Sequence, residues 1–194
     1  MASRNTPAPV IDRAQAARAV VAFLKALGRD PEHDPDLAGT GERVADAWAD
    51  ELLAGYTVDV RALVEESALP GTSDVVVVRD VPVTTMCPHH LLPARGTAAV
   101  AYAPTDRLVG VGTLAAVVDA FARRLALQER IGEEVVGALG YLRPRWASCR
   151  LLLEHGCMTA RKGGPHGARV ETIAFSGPPS DKPAAYALLS SGAA

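Results

Sequence analysis

The chain has 194 residues, 48% of them hydrophobic, which fits one globular domain with a smaller appendage. Its formal charge of -2, with 20 Lys and Arg set against 22 Asp and Glu and no basic cluster, excludes a general nucleic-acid binder. The start of the chain lacks the charged-then-apolar pattern of a signal peptide, and the longest weakly polar run, 108–118, is too short to span a bilayer, so no membrane partner and a cytoplasmic location are expected.

Residues 1–10 are polar and Pro-containing, a loose lead-in. Helical spacing over 11–27 sets Val20, Phe23, Leu24 and Leu27 on one face, with Gly28 as the stop. A Pro- and Asp-rich loop follows. Thr40 is placed to cap a second helix over 42–54, which would bury Val44, Trp48 and Leu52 and end at Gly55. From residue 74 the texture changes. The stretch 74–86 is rich in Val and Thr, and 96–103 alternates small and aromatic residues, so both predict strands. Helical spacing over 114–130 runs through Val117, Val118, Phe121 and Leu125, and a second helix covers 131–142. Two more strands are expected at 148–157 and 168–175, and the tail after Gly177 holds at most a short helix near Tyr186. The order ββααββ predicts an α+β fold, an antiparallel sheet with two helices on one face. Three regions follow: a helical appendage (1–70), a catalytic domain (71–177) and a tail (178–194).

Segments 84–90 and 154–161 together hold two of the three cysteines and three of the five histidines. A thiolate and an imidazole from the first, joined by a thiolate from the second, would give zinc three protein ligands and leave its fourth position for water, the arrangement of a catalytic site. His155 and Cys157 share a face if the strand reaches both. Cys149 has the same parity but lies roughly 26 Å from Cys157 along a strand at about 3.3 Å per residue, which makes it a core residue rather than a ligand. In the first segment Cys87 shares a face with His89 if the chain is extended, and meets His90 only if it turns. Pro88 favours the turn, but spacing leaves both histidines open.

Cys87-Pro88-His89-His90, Gln128-Glu129-Arg130 and His155-Gly156-Cys157-Met158-Thr159-Ala160-Arg161, in this order and spacing, resemble the GTP cyclohydrolase I family. The resemblance runs from the helix start at Thr40 to about Gly177. It implies the tunnelling fold, whose four-stranded sheets join in rings, with a homo-oligomer of two stacked pentamers and active sites at subunit interfaces. It further implies Cys87, His90 and Cys157 as zinc ligands, with His89 and His155 as proton-transfer groups. Glu129 would read the donor edge of a guanine-type substrate, Gln128 would help to place the base, and Arg161 and Lys162 would hold its anionic groups. The implied reaction converts GTP into 7,8-dihydroneopterin triphosphate and formate.

The chain departs from the family pattern at several positions. Where the family has a Ser-Lys pair after a Gly, this sequence reads Gly110-Val111-Gly112-Thr113, and the Arg expected three residues later is Ala116. Pro88 replaces a Glu and Gly41 replaces a Pro. The ring-opening half of the implied site is intact while the phosphate half is altered. Two other readings therefore stand beside the first: a paralogue acting on a less phosphorylated, purine-like substrate, and a non-catalytic zinc-binding member of the fold.

Overall fold

The computed structural model describes residues 10–160 and 167–190. Helix α1 (Arg13–Ala26) opens at Asp12, whose side chain accepts a hydrogen bond from the Gln15 N–H, and packs on α2 (Thr40–Ala47). Thr40 is not a cap. Gly39, in the left-handed conformation, occupies the cap position, and the Thr40 hydroxyl instead accepts from Arg43. A wider helical turn, Trp48–Leu52, extends α2. The apolar face expected on α1 stays largely in solvent, with Phe23 64% and Leu27 62% exposed. Only Ala17 of that helix is buried.

Helix α3 (Val60–Glu66) is capped by Asp59 and was not apparent in the sequence pattern. Strand β1 (Ala68–Pro70) is short. After it come β2 (Val76–Met86), β3 (Pro93–Ala103) and β4 (Arg107–Val109), the last pairing with β1 in a small two-stranded sheet. Helices α4 (Val111–Ala122) and α5 (Gln128–Leu139) precede β5 (Trp146–His155), the short α6 (Gly156–Thr159), β6 (Arg169–Ser176) and α7 (Lys182–Ser190). The main sheet is antiparallel with order β2-β3-β5-β6, which is the ββααββ arrangement.

Strand alternation divides this sheet into two faces. Residues Ala147, Cys149, Leu151 and Leu153 of β5 enter a core shared with Leu114, Val117 and Val118 of α4 and with Ile131, Val135 and Leu139 of α5. On the opposite face α7 lays Ala185 and Leu189 over Ala99, Ala101, Ala103 and Trp146.

The single helix expected over 114–130 is broken between α4 and α5. At the break Arg123 and Arg124 reach back to the N-terminal segment. Arg123 binds Asp119 and the Glu51 carbonyl, while Arg124 donates to the Gly55 carbonyl and lies over the rings of Phe121 and Tyr56. Gly55 makes this approach possible, because a Cβ there would lie 2.1 Å from the Ala120 carbonyl oxygen. Among the described residues no helix is long and apolar enough to cross a membrane.

Candidate active site

The site lies at one end of the main sheet. Met86 faces Pro93 in the β2–β3 hairpin, and Ala94, next along β3, faces His155 at the end of β5. The hairpin loop, 87–92, therefore sits beside the point where β5 ends.

Local chemistry settles how the loop turns. Pro88 keeps Cys87 out of the helical region and starts the turn with its own fixed φ. The Leu91 N–H then donates to the Cys87 carbonyl at 2.9 Å, one helical turn, and the Cys87 N–H donates to Leu92 at 3.0 Å. Leu91 closes the loop at φ 52°. In a helical turn positions i and i+3 meet, so His90 approaches Cys87, with Nδ1 3.8 Å from Sγ. His89 points elsewhere. Its ring meets that of His90 edge-on at 6.3 Å, and it is exposed.

The second thiol arrives by a route that differs from the sequence expectation. Strand β5 stops at His155, and Cys157 lies in α6. Gly156 permits the corner, since a Cβ there would lie 2.9 Å from the Pro93 carbonyl oxygen. The shared strand face expected for His155 and Cys157 is thus replaced by a turn. Even so, the ligand atoms of Cys87, His90 and Cys157 all lie within 4.8 Å of one another. One ion with bonds of about 2.0–2.3 Å can bridge such a set with small side-chain rotations. Both thiols are half-buried, and neither takes part in a disulfide. Cys149 is different: it is fully buried, and burial pushes its thiol up to about 12.

His155 has the helix-facing parity of Leu151 and Leu153, so its ring turns toward α5. There its Nε2 lies 2.7 Å from Gln128 Oε1. Gln128 is 3% exposed, and its NH2 group donates to the carbonyls of Leu151 and Val170 and to the Thr172 hydroxyl. Thr172, distant in sequence, gave no local signal of this role. Glu129, next to Gln128 in the first turn of α5, is exposed. Arg161 and Lys162, expected around the anionic end of a substrate, lie outside the described residues.

The first turn of α4 carries no basic side chain, and nothing lies within 4 Å of the position a Cβ would take at Gly112.

Comparison with known proteins matches residues 16–190 to the family described as GTP cyclohydrolase I. The chain is similar to the GTP cyclohydrolase 1 of Allorhizobium ampelinum, 39% identical over 85% of this chain and 83% of that protein. That of Leifsonia xyli subsp. xyli is 37% identical over 94% and 98%. That of Thermoanaerobacter pseudethanolicus is 35% identical over 87% and 89%. The apo crystal structure of the archaeosine synthase QueF-Like is matched over 56% of this chain and 98% of that one, with a TM-score of 0.45 and 16% identity, too loose a likeness to carry an argument. A family match over most of the chain, with relatives aligned along nearly their whole length, places this protein in the GTP cyclohydrolase I family, and its ββααββ sheet is that family's tunnelling fold.

Proposed function

We propose that the protein is a zinc-dependent hydrolase that opens the five-membered ring of GTP, releases C8 as formate and recloses the remainder as 7,8-dihydroneopterin triphosphate. The observation that carries this reading is the convergence of Cys87, His90 and Cys157 within 4.8 Å in a chain whose relatives are named GTP cyclohydrolase 1. Two soft thiolates and an imidazole suit zinc better than calcium, magnesium or manganese, which prefer oxygen.

Cys87, His90 and Cys157 would hold the ion. When bound, it supplies Lewis acidity and a water whose pKa is lowered to about 7, so a nucleophile is available at neutral pH. The remaining work falls to side chains. His155 and His89 move protons: one is delivered to N7 of the base as C8 is attacked, and the proton inventory is restored as the ring opens and formate leaves. Imidazole suits both directions because its ordinary pKa is about 6.5. Glu129 accepts hydrogen bonds from N1–H and the exocyclic amine of guanine, a donor pair that adenine lacks. Arg161 and Lys162 hold the phosphates by charge-assisted hydrogen bonds.

A homo-oligomer, two stacked pentamers, belongs to the same proposal. Among the described residues the outer edges of β2 and β6 pair with no strand. Such edges are templates for another copy of the chain. Light scattering tests this, and a stable, active monomer would refute it.

A second reading is favoured by one observation, the first turn of α4, where Gly112 and Thr113 offer no cation and Ala116 follows. A paralogue taking a less phosphorylated guanine compound would look like this. Zinc-loaded enzyme incubated with GTP, GMP, guanosine and guanine, with products read by mass spectrometry and pteridine fluorescence, separates the two. Formate and a fluorescent pteridine from GTP establish the first reading. Turnover of only the less phosphorylated compounds establishes the second, and turnover of none leaves the non-catalytic zinc-binding member.

A further inference from the structure

Gln128 sits at the first position of α5, deep beneath the site, and its amide orientation is fixed by its neighbours. Its nitrogen lies 3.1 Å from the Leu151 carbonyl oxygen, 2.9 Å from that of Val170 and 3.2 Å from Thr172 Oγ1. Backbone carbonyls only accept. The opposite amide orientation would press Oε1 against two carbonyl oxygens in a buried space and forfeit the bonds that the NH2 group donates to them. Oε1 therefore faces His155. Amide oxygen is also only an acceptor, so the His155 Nε2 at 2.7 Å must carry a hydrogen. In the neutral ring this leaves Nδ1 unprotonated.

We propose that Gln128 is a positioning residue that holds His155 as the Nε2–H tautomer and makes Nδ1 the atom that exchanges protons with the substrate. The inference rests on the proposal that His155 moves a proton in the reaction. It assigns Gln128 a role other than placing the base. With 3% exposure and every polar atom of its amide engaged, Gln128 has nothing to offer a ligand. The device resembles a carboxylate that orients a catalytic imidazole, with one difference: a neutral amide sets the tautomer and the ring plane without adding charge beside the ring. Its anchor takes in two neighbouring strands, since Leu151 belongs to β5 and Val170 and Thr172 to β6.

Two-bond 1H–15N correlation spectra of the wild-type protein, with the His155 signals identified by their loss in His155→Gln, test the tautomer directly. The expected result is a pyrrole-type Nε2 and a pyridine-type Nδ1. An Nδ1–H tautomer, or an even mixture, would overturn the proposal, and this measurement needs neither turnover nor a folded Gln128 variant. In Gln128→Met, which keeps the volume but accepts only weakly through its sulfur, kcat should fall on the order of a hundredfold, the lower end of what a well-placed acid–base group contributes. KM for the nucleotide should stay within about twofold, because uniform binding is untouched. A raised KM with unchanged kcat would show that Gln128 holds substrate after all. If no guanine compound is turned over, the functional proposal fails while the spectra still decide the tautomer.

Discussion

The two sides of the site are built in opposite ways. On the β5–α5 side, His155 is fixed through a buried amide to two strands. On the hairpin side, two backbone hydrogen bonds close a loop whose histidines, His89 and His90, are exposed. The difference matches what each side would hold under the proposed function. A metal ion organises its own ligands, because binding energy and local ordering are coupled, so the hairpin need only bring donors within reach. His155 has no such organiser, and its aim is built into the fold through Gln128, whereas His89 rides on the same exposed loop as His90.

Removing a ligand breaks the comparison most severely. Cys157→Ala should lose the bound metal and at least on the order of a thousandfold in turnover, about 4 kcal/mol of barrier. Elemental analysis checks the metal, and an unchanged zinc content would contradict the proposed ligand set. Cys149→Ala is the control. Its thiol lies in the core, so that variant should lose stability and keep its metal.

Next in size is a cavity under the rigid side. Leu153 is fully buried two residues before His155 and shares its face of β5. Leu153→Ala should cost about 2–5 kcal/mol of stability in denaturant titration, yet leave metal content unchanged at temperatures where the protein stays folded. Metal loss from the folded variant would show that the two sides are mechanically joined.

The division between the sides also governs what the sequence disclosed. Cys87, His90, Cys157 and His155 were legible as a cluster because their types are rare and their segments short. The choice between His89 and His90 was not legible from spacing, since it depends on whether the chain turns after Pro88. The face shared by His155 and Cys157 was misjudged because periodicity carries no sign that Gly156 lets the chain turn against Pro93. The division of helix 114–130 was equally hidden: Arg123 and Arg124 are good helix formers locally, while the contacts made at the break, with Glu51 and Gly55 about seventy residues earlier and with Thr85 and Met86 of β2, are distant in sequence. Phe23 and Leu27 show the reverse error. Helical spacing identified a face correctly but not what covers it, and among the described residues little does.

A smaller effect is expected at the hinge of the looser side. Leu91 holds φ 52° and is 52% exposed. Left-handed backbone costs a non-glycine residue about 1–2 kcal/mol, while glycine adds about 0.4–1 kcal/mol of unfolded-chain entropy. Leu91→Gly should therefore raise stability by up to about 1 kcal/mol, with the zinc content preserved. A clear loss of stability would mean that the Leu91 side chain, rather than its backbone, shapes the loop.

The least effect belongs far from the site, in the acidic loop before α2, and provides the baseline for both sides. His33 Nδ1 lies 2.7 Å from Asp30 Oδ2 on the surface. The hydrogen bond to Asp30 raises the His33 pKa above its ordinary value, and the same bond to His33 is the main cause that lowers that of Asp30. The signs fix the window. The His33 contribution is fully present below about pH 6.5 and fades as pH rises through the raised value, while that of Asp30 is present above its ordinary pKa and fades as pH falls through the lowered one. The pair thus acts only between the two, and solvent screening keeps it weak. An NMR titration should place the His33 midpoint above 6.5 in the wild type and return it toward 6.5 in Asp30→Asn. Turnover and metal content should not change in that variant at any pH, because the pair touches neither side of the site. A shifted pH profile for the reaction in Asp30→Asn would mean that the appendage and the catalytic centre communicate.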